Sequence, residues 1–287
     1  MNEPAGFDPE KFKAATRAQW NETGRGWNEW SGPIRAWLAG ATTAMLDRAG
    51  IAPGARVLDV AAGAGDQTLD IARRVGPSGH VLVTDLSPGI LEFAKANARR
   101  AGFDNVDVKE ADAESLGLDG AGFDAAVSRL GLMFCPGPLK ALQAMHRALR
   151  PGGRACTMVF STPDKNPCIA ILMSTALKHA GLPPRDPFQP GGLLSLGKPG
   201  LIDALFQQAG FAEVETTKLS APFRLPSAKD YLDFIRTSAG PILQILGRLD
   251  EPKRQAAWAD IEAKLKAFDT SDGWAGPNEL LLTSGKK

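Results

Sequence analysis

Between residues 56 and 160, short apolar runs alternate with segments of helical period, and this alternation constrains the fold more than any other feature of the chain. Residues 56–62 (RVLDVAA), 80–86 (HVLVTDL), 106–112 (VDVKEAD), 123–130 (FDAAVSRL) and 154–160 (RACTMVF) read as strands. They are short, rich in β-branched residues and bounded by turn formers. Between them, helices are predicted from about Asp66 to Val75, from Ser87-Pro88 to about Ala101, and over 137–149. Ser87 is a good N-cap and Pro88 fits the first helical position, while Gly102 ends that helix. Strands that alternate with helices of this length form a mostly parallel sheet covered on both faces.

Outside this block the rhythm changes. Residues 10–50 carry helical periodicity and four of the six tryptophans, Trp20, Trp27, Trp30 and Trp37. Residues 163–197 hold one helix, about 168–180, and then the Pro/Gly-rich stretch LPPRDPFQPGG. A helix (199–210) and a strand (212–219) follow, then about 50 residues read as helices, 226–274, and a last apolar strand at 279–284. The expected organisation is an N-terminal helical segment (1–50, part of a cap) and a ligand-binding core (51–162). A cap insertion (163–197), a continuation of the core (198–219), a helical cap insertion (220–275) and the last core strand (276–287) complete it. In open α/β sheets ligands lie beyond the carboxyl ends of the strands, the end at which the insertion after the fifth strand begins.

Bulk properties narrow the function by exclusion. A net charge of +1 over 287 residues gives no electrostatic reason for a nucleic-acid partner. The three cysteines, Cys135, Cys156 and Cys168, make no metal-type spacing with the three histidines, so no metal site is expected. So sparse a set fits a reducing cytoplasm. The start MNEPAGFDPEKFK lacks the basic and apolar parts of a signal peptide, and no run reaches the roughly 18 apolar residues of a membrane span.

The first strand runs into a loop, 57-VLDVAAGAGDQT-68. Gly63 and Gly65 let the backbone turn tightly and approach a ligand, and the following helix presents free N–H groups. That serves a phosphate or a carboxylate equally. A P-loop is excluded because no Gly-Lys-Ser/Thr follows. The dinucleotide fingerprint is imperfect, since Thr68 stands at its third glycine. Asp85 ends the second strand, where an acid takes ribose hydroxyls under either reading. Asp59 in the first strand and Asp112 at the end of the third favour a ligand with ribose, adenine and a charged amino acid over a pyrophosphate.

At this point the sequence resembles a known family. VLDVAAGAGDQT, VTDLSPGIL, KEADAESL and FDAAVSRLGLMF look like the first four motifs of class I S-adenosylmethionine (SAM)-dependent methyltransferases, and LRPGGR like the turn before their fifth strand. The resemblance is greatest to the small-molecule branch with the quinone-biosynthesis C-methyltransferases. It implies a doubly wound, Rossmann-like, seven-stranded mostly parallel sheet with an antiparallel last strand and helical cap insertions. It implies SAM as cofactor, with Ala61, Gly63 and Gly65 along its methionine and ribose portion and Asp59 at its ammonium end. Asp85 would take the ribose hydroxyls, Leu86 would pack on adenine, and Asp112 would accept the adenine amino group with Ala113 beside it. Arg129 would face cofactor or acceptor, and Gln67 and Thr68 would begin the helix under the loop.

The expected function is methyl transfer in the cytoplasm to a small apolar or aromatic acceptor, by a monomer or homodimer, with C- or O-methylation favoured by the resemblance. The alternatives are a non-catalytic SAM-binding protein and an NAD-dependent oxidoreductase. The acceptor pocket is expected to use Trp20, Trp27, Trp30, Met133, Phe134 and Phe160. No general base stands out. His179 and Tyr231, both in the cap insertions, are the candidates to reach a substrate.

Overall fold

The computed structural model describes residues 8–287, so the first seven residues of the predicted N-terminal segment and of its polar start lie outside the described residues. Asp8 caps helix α1 (Pro9–Glu29), its carboxylate accepting from the N–H groups of Glu10 and Lys11. Helix α2 (Ser31–Arg48) follows across Trp30, so the predicted helical segment is two helices.

The alternating block folds as β1 (Arg56–Val60), α3 (Asp66–Val75), β2 (His80–Asp85), α4 (Pro88–Arg100), β3 (Val106–Glu110), β4 (Phe123–Arg129), α5 (Pro138–Ala148) and β5 (Leu149–Phe160). Then come α6 (Pro167–His179), α7 (Leu201–Gln208) and β6 (Ala212–Ser220). The chain continues through β7 (Phe223–Leu225), α8 (Ala228–Ser238), α9 (Gly240–Leu246) and α10 (Glu251–Leu265). It ends with β8 (Asp269–Thr270), β9 (Gly273–Gly276) and β10 (Glu279–Lys286).

Seven strands pair in the order β3-β2-β1-β4-β5-β10-β6. Strand β10 runs antiparallel to both β5 and β6, and the other pairings are parallel. This is the class I methyltransferase Rossmann-like fold. The central strands are buried on both faces, as helices on either side require: Val57, Leu58, Val60, Val81, Val83, Ala125, Ala126 and Val127 are all almost wholly excluded from solvent. Ser87 accepts from the Ile90 N–H at 3.2 Å and starts α4 with Pro88 in its first turn, the cap the sequence predicts.

Four boundaries differ from the sequence reading. Strand β3 ends at Glu110, and Asp112 lies beyond it, capping the short turn Ala113–Ser115. Strand β4 ends with Arg129 itself. Strand β5 begins at Leu149 and runs through the RPGG turn, with a register shift against β4 between Phe123 and Ala125. The stretch 226–274, expected to be helical throughout, gives three helices and then β8 and β9; β9 pairs with both β7 and β8 in a second, antiparallel sheet of order β7-β9-β8. Trp274 anchors that sheet: it is buried, donates to the Leu265 carbonyl at 2.8 Å and stacks on Tyr231 with ring centroids 4.6 Å apart. A strand of four residues has too little periodicity to compete with the helical pattern before it.

Helices α1, α6, α8 and α9 and the 185–193 stretch gather over the carboxyl ends of β1, β2, β4 and β5 and enclose a cavity of about 410 Å³. Helix α1 is pinned there by polar contacts. Asn21 Oδ1 accepts from Ser87 Oγ at 2.6 Å and from the Gly89 N–H at 3.1 Å. Asn28 accepts from Asn97 at 2.8 Å, and Arg17 pairs with Glu110.

Candidate functional site

The floor of the cavity is the loop after β1. Three of its residues, Ala61, Gly63 and Gly65, have positive φ, 53°, 61° and 83°. Gly65 is the N-cap of α3, and a Cβ on it would come within 3.0 Å of Ala94 on α4. The left-handed backbone and the close helix both demand glycine there.

Asp85, at the end of β2, receives two backbone donors. The Gly63 N–H reaches Oδ2 at 3.0 Å and the Ser87 N–H reaches Oδ1 at 3.0 Å. Burial pushes its pKa up, against the pull of these N–H groups. Each carboxylate oxygen keeps acceptor capacity, and the side chain lines the cavity.

Asp59 lies behind the wall. It is fully buried, accepts from Gln67 Nε2 at 3.0 Å and from Thr68 Oγ1 at 2.6 Å, and is absent from the cavity lining. Burial pushes its pKa up to about 6, with the two hydrogen bonds opposing. Gln67 lines the cavity. Asp59 therefore aims Gln67 and clamps the start of α3, and any ligand group on this side meets Gln67. Thr68 and Gly65 also stand outside the lining, holding the floor in shape.

Arg129 closes the far side of the floor. It is buried, donates from Nη1 to Thr42 Oγ1 at 2.9 Å and stands 3.9 Å from Asp66. Burial pushes its pKa down, opposed by Asp66 and Asp59. Asp66 is buried too, with its pKa raised by the same desolvation. Asp66 carries no local signal in the sequence, where nothing distinguishes it from an ordinary acid in a first helical turn.

Beyond β3, Asp112, Ala113 and Glu114 face the cavity with Leu86. Lys13 of α1 bridges the two acids, 2.8 Å from Asp112 and 2.9 Å from Glu114. Glu114 also accepts the Gly137 N–H at 2.6 Å.

The cap half is aromatic and aliphatic. Trp20, Trp27, Met133, Phe134 and Phe160 line it. Trp20 meets Trp27 and Phe134 edge to face, centroids 5.6 Å and 5.8 Å apart. Trp30 does not line the cavity and packs on Phe234 at 5.5 Å, supporting the wall from outside. Trp37, not named as a pocket residue from the sequence, does line it. Its indole N–H donates to the Ala221 carbonyl at 2.6 Å, and its ring stacks on Phe223 at 4.6 Å and Phe160 at 6.2 Å. Its place beside Leu38 and Ala41 on the buried face of α2 was the available signal.

Of the two acid–base candidates, Tyr231 lines the cavity and His179 does not. His179 Nε2 lies 3.0 Å from Asp260 of α10, an inter-helix link away from the floor. No histidine lines the cavity among the described residues. His80 pairs with Asp107, and His146 packs edge-on against Phe211. The Tyr231 phenol is buried, which raises its pKa well above the usual value. No group of three metal-ligating side chains occurs among the described residues.

The ubiE/COQ5 methyltransferase family matches residues 35–176. An uncharacterized Mycobacterium tuberculosis protein, Rv1405c, is 30% identical over 254 residues, covering 85% of each chain. The chain belongs to the UbiE/COQ5 family of SAM-dependent methyltransferases. The ubiquinone/menaquinone biosynthesis C-methyltransferase UbiE of Hahella chejuensis is 37% identical over 126 residues, 44% of this chain and 50% of that one. The chain thus spans about half the length of the UbiE relatives it matches.

Solved structures share the fold at low identity. YcgJ of Bacillus subtilis superposes with a TM-score of 0.57 at 18% identity, covering 87% of this chain and 98% of that one. A Haemonchus contortus phosphoethanolamine N-methyltransferase, solved with S-adenosylhomocysteine, gives 0.58 at 17%, covering 91% and 58%. The [4+2]-cyclase SpnF gives 0.55 at 20%, covering 93% and 96%. The family match runs from α2 into α6 and takes in β1 to β5, whereas α8, α9, β6 and β10 fall outside it.

Proposed function

We propose that the chain transfers a methyl group from SAM to a small apolar or aromatic acceptor, at carbon or oxygen, inside this cavity. One observation carries the reading: a carboxylate fixed by two backbone N–H groups, Asp85, opens into the same cavity as the aromatic cap. The residues present fit the cofactor. Asp85 offers acceptors for a ribose diol, Asp112 an acceptor for an amino group, and Gln67 and the backbone of residues 61–63 a polar wall without a phosphate-binding lysine. About 410 Å³ lies within the range of roughly 300–1,000 Å³ usual for small-molecule sites.

When bound, SAM supplies a methyl group on a sulfonium that is already an activated leaving group. The side chains of this chain then orient the acceptor and exclude water. Trp20, Trp27, Phe134 and Phe160 give the acceptor an apolar berth. Tyr231, kept protonated, donates a hydrogen bond to the acceptor rather than taking its proton. With no histidine on the wall, the acceptor enters as its own nucleophile, an electron-rich ring carbon or an oxygen already deprotonated.

The dinucleotide alternative meets a physical obstacle. Thr68 stands at the third fingerprint glycine, fully buried and engaged with Asp59. Calorimetry with SAM, S-adenosylhomocysteine and NAD, on the wild type and on Asp85→Ala, tests the reading. The expected result is binding of the first two, none of NAD, and a loss of about 10- to 100-fold on removing the Asp85 carboxylate, whose hydrogen bonds are charge-assisted. NAD binding without SAM binding supports an oxidoreductase. Tight SAM binding without turnover of any acceptor supports a binding protein.

A further inference from the structure

The charges on the cavity wall are unevenly committed. The three acids are engaged: Asp85 by the Gly63 and Ser87 N–H groups, and Asp112 and Glu114 by Lys13. All three sit at or just beyond the ends of β2 and β3. The cap half has no carboxylate on its wall. Besides Lys13, which is committed to Asp112 and Glu114, its charged groups are Arg185, from the Pro-rich stretch, and Arg248, just past α9.

Neither guanidinium has an ion-pair or hydrogen-bond partner among the described residues. The acids adjacent to them in sequence are spent elsewhere. Asp186 accepts the Phe188 N–H at 2.9 Å, and Asp250 caps α10 through the Lys253 N–H at 2.9 Å. Both arginines are exposed and both line the cavity, so they stand where it meets solvent. Arg185 lies in PPRDP, where the fixed φ of Pro183, Pro184 and Pro187 limits the motion of the backbone that carries it. Behind this rim the wall is apolar, with Leu172, Met173, Phe234 and Ile245 among its members.

We infer that the acceptor is an amphipathic anion, with an apolar or aromatic body in the cap and a carboxylate, sulfonate or phosphate group received at the mouth by Arg185 and Arg248. This deepens the methyl-transfer reading and rests on it. Guanidinium presents paired donors that match the oxygens of such groups, which a lysine at either position would not do. At the rim a cationic head would meet like charge, whereas an anionic head meets opposite charge there, well away from the three carboxylates at the floor. The two rim arginines then set which of several apolar acceptors is retained, through the charge remote from the reacting atom.

The test uses a matched pair of probes, 2-naphthoate and 2-naphthamide, titrated into the full chain saturated with S-adenosylhomocysteine. The expected result is that the carboxylate binds at least tenfold more tightly at low salt, that 0.5 M salt shrinks the preference, and that Arg185→Gln/Arg248→Gln abolishes it while amide binding stays the same. Both positions are exposed, so the double variant should melt within a degree or so of the wild type, and its melting curve checks this. Equal affinity for the two probes, no binding of either, or a preference that survives in the double variant overturns the inference. The S-adenosylhomocysteine titration that begins the experiment is the separate readout. If it fails, the methyl-transfer reading falls, whereas a normal value with an indifferent probe pair removes only the anionic acceptor.

Discussion

Lys13 on α1 holds its ammonium 2.8 Å from the carboxylate of Asp112, beyond the end of β3. The contact ties the N-terminal helix to the floor of the cavity, and Glu114, almost fully buried, shares the same ammonium at 2.9 Å. The two acids hold the Lys13 pKa above its ordinary value although partial burial works against them. Its contribution to stability is therefore complete at neutral pH and is lost only as pH rises through that raised value. Lys13→Met should cost about 2 kcal/mol, because it leaves two charged acceptors without their donor. Urea denaturation at pH 7.5 measures this. An unchanged midpoint would show that α1 is held by its other contacts without Lys13.

The buried acid Asp59 gives a pH dependence of opposite sense to that of an ordinary paired carboxylate. Its folded pKa is pushed up to about 6, above its value in the unfolded chain. Between about pH 4 and 6 the folded state holds a proton that the unfolded state has released, so the stability contributed by this group falls as pH rises. Asp59→Asn removes the charge and keeps a similar shape. The variant should gain on the wild type as pH goes from 4 to 7, by up to about 3 kcal/mol for a shift of this size. Parallel denaturation curves at the two pH values decide it, and a constant difference would mean that Asp59 titrates normally.

The loop geometry makes Gly65 intolerant of a side chain. Its φ of 83° is left-handed, which costs an L-residue about 1–2 kcal/mol, and the new Cβ would meet Ala94 at 3.0 Å. Gly65→Ala should destabilise the chain by about 2 kcal/mol. It should also weaken S-adenosylhomocysteine more than it lowers the melting temperature would imply, because the loop next to Asp85 must shift. Ala61→Gly, which frees a strained φ of 53°, should do neither.

Separating the two acid–base candidates requires only single variants. His179→Ala should leave turnover within about twofold, since its ring is spent on Asp260 outside the cavity. Tyr231→Phe keeps the stacking on Trp274 and removes one hydroxyl from the wall. It should raise KM about three- to tenfold, the value of one hydrogen bond, with little change in kcat. A large fall in kcat on Tyr231→Phe would instead make the phenol a proton carrier.

The cysteines provide a check on the cap. Burial pushes the thiols of Cys156 and Cys168 up to about 12, and that of Cys135 higher still. A thiol that stays protonated is a poor nucleophile. In the native chain at pH 8, an aromatic disulfide reagent should release almost no chromophore within minutes, and all three thiols should react after denaturation. Rapid modification of Cys135 alone, the half-buried thiol that lines the cavity, would show that the reagent enters the cavity in solution.

Much of the sheet was legible because its signals are local. The apolar runs at 56–62 and 80–86, the Ser87-Pro88 start of α4 and the glycines of the loop each act within a few residues, through the backbone geometry they allow. The antiparallel last strand came from the family resemblance rather than from any local feature. The small sheet around Trp274 was missed because β8 and β9 are two and four residues long, and β9 pairs with β7, more than forty residues away. The cavity residues divide along the same line. Asp85 was visible by its place at a strand end, whereas the position of Gln67 between Asp59 and the cavity depends on a side-chain hydrogen bond that no spacing encodes.

The sequence by itself determined the doubly wound core and the loop that a nucleoside ligand would occupy, since alternation, capping and glycine freedom are properties of short segments. Tertiary structure alone decided which side chains share the cavity. It put Trp37 and Tyr231 on the wall, moved Trp30 and His179 off it, bridged Lys13 to Asp112, and left Arg185 and Arg248 at the mouth. Those placements follow from the angles at which α1, α2 and the two insertions pack on the sheet, and those angles are set by contacts between residues far apart in the chain.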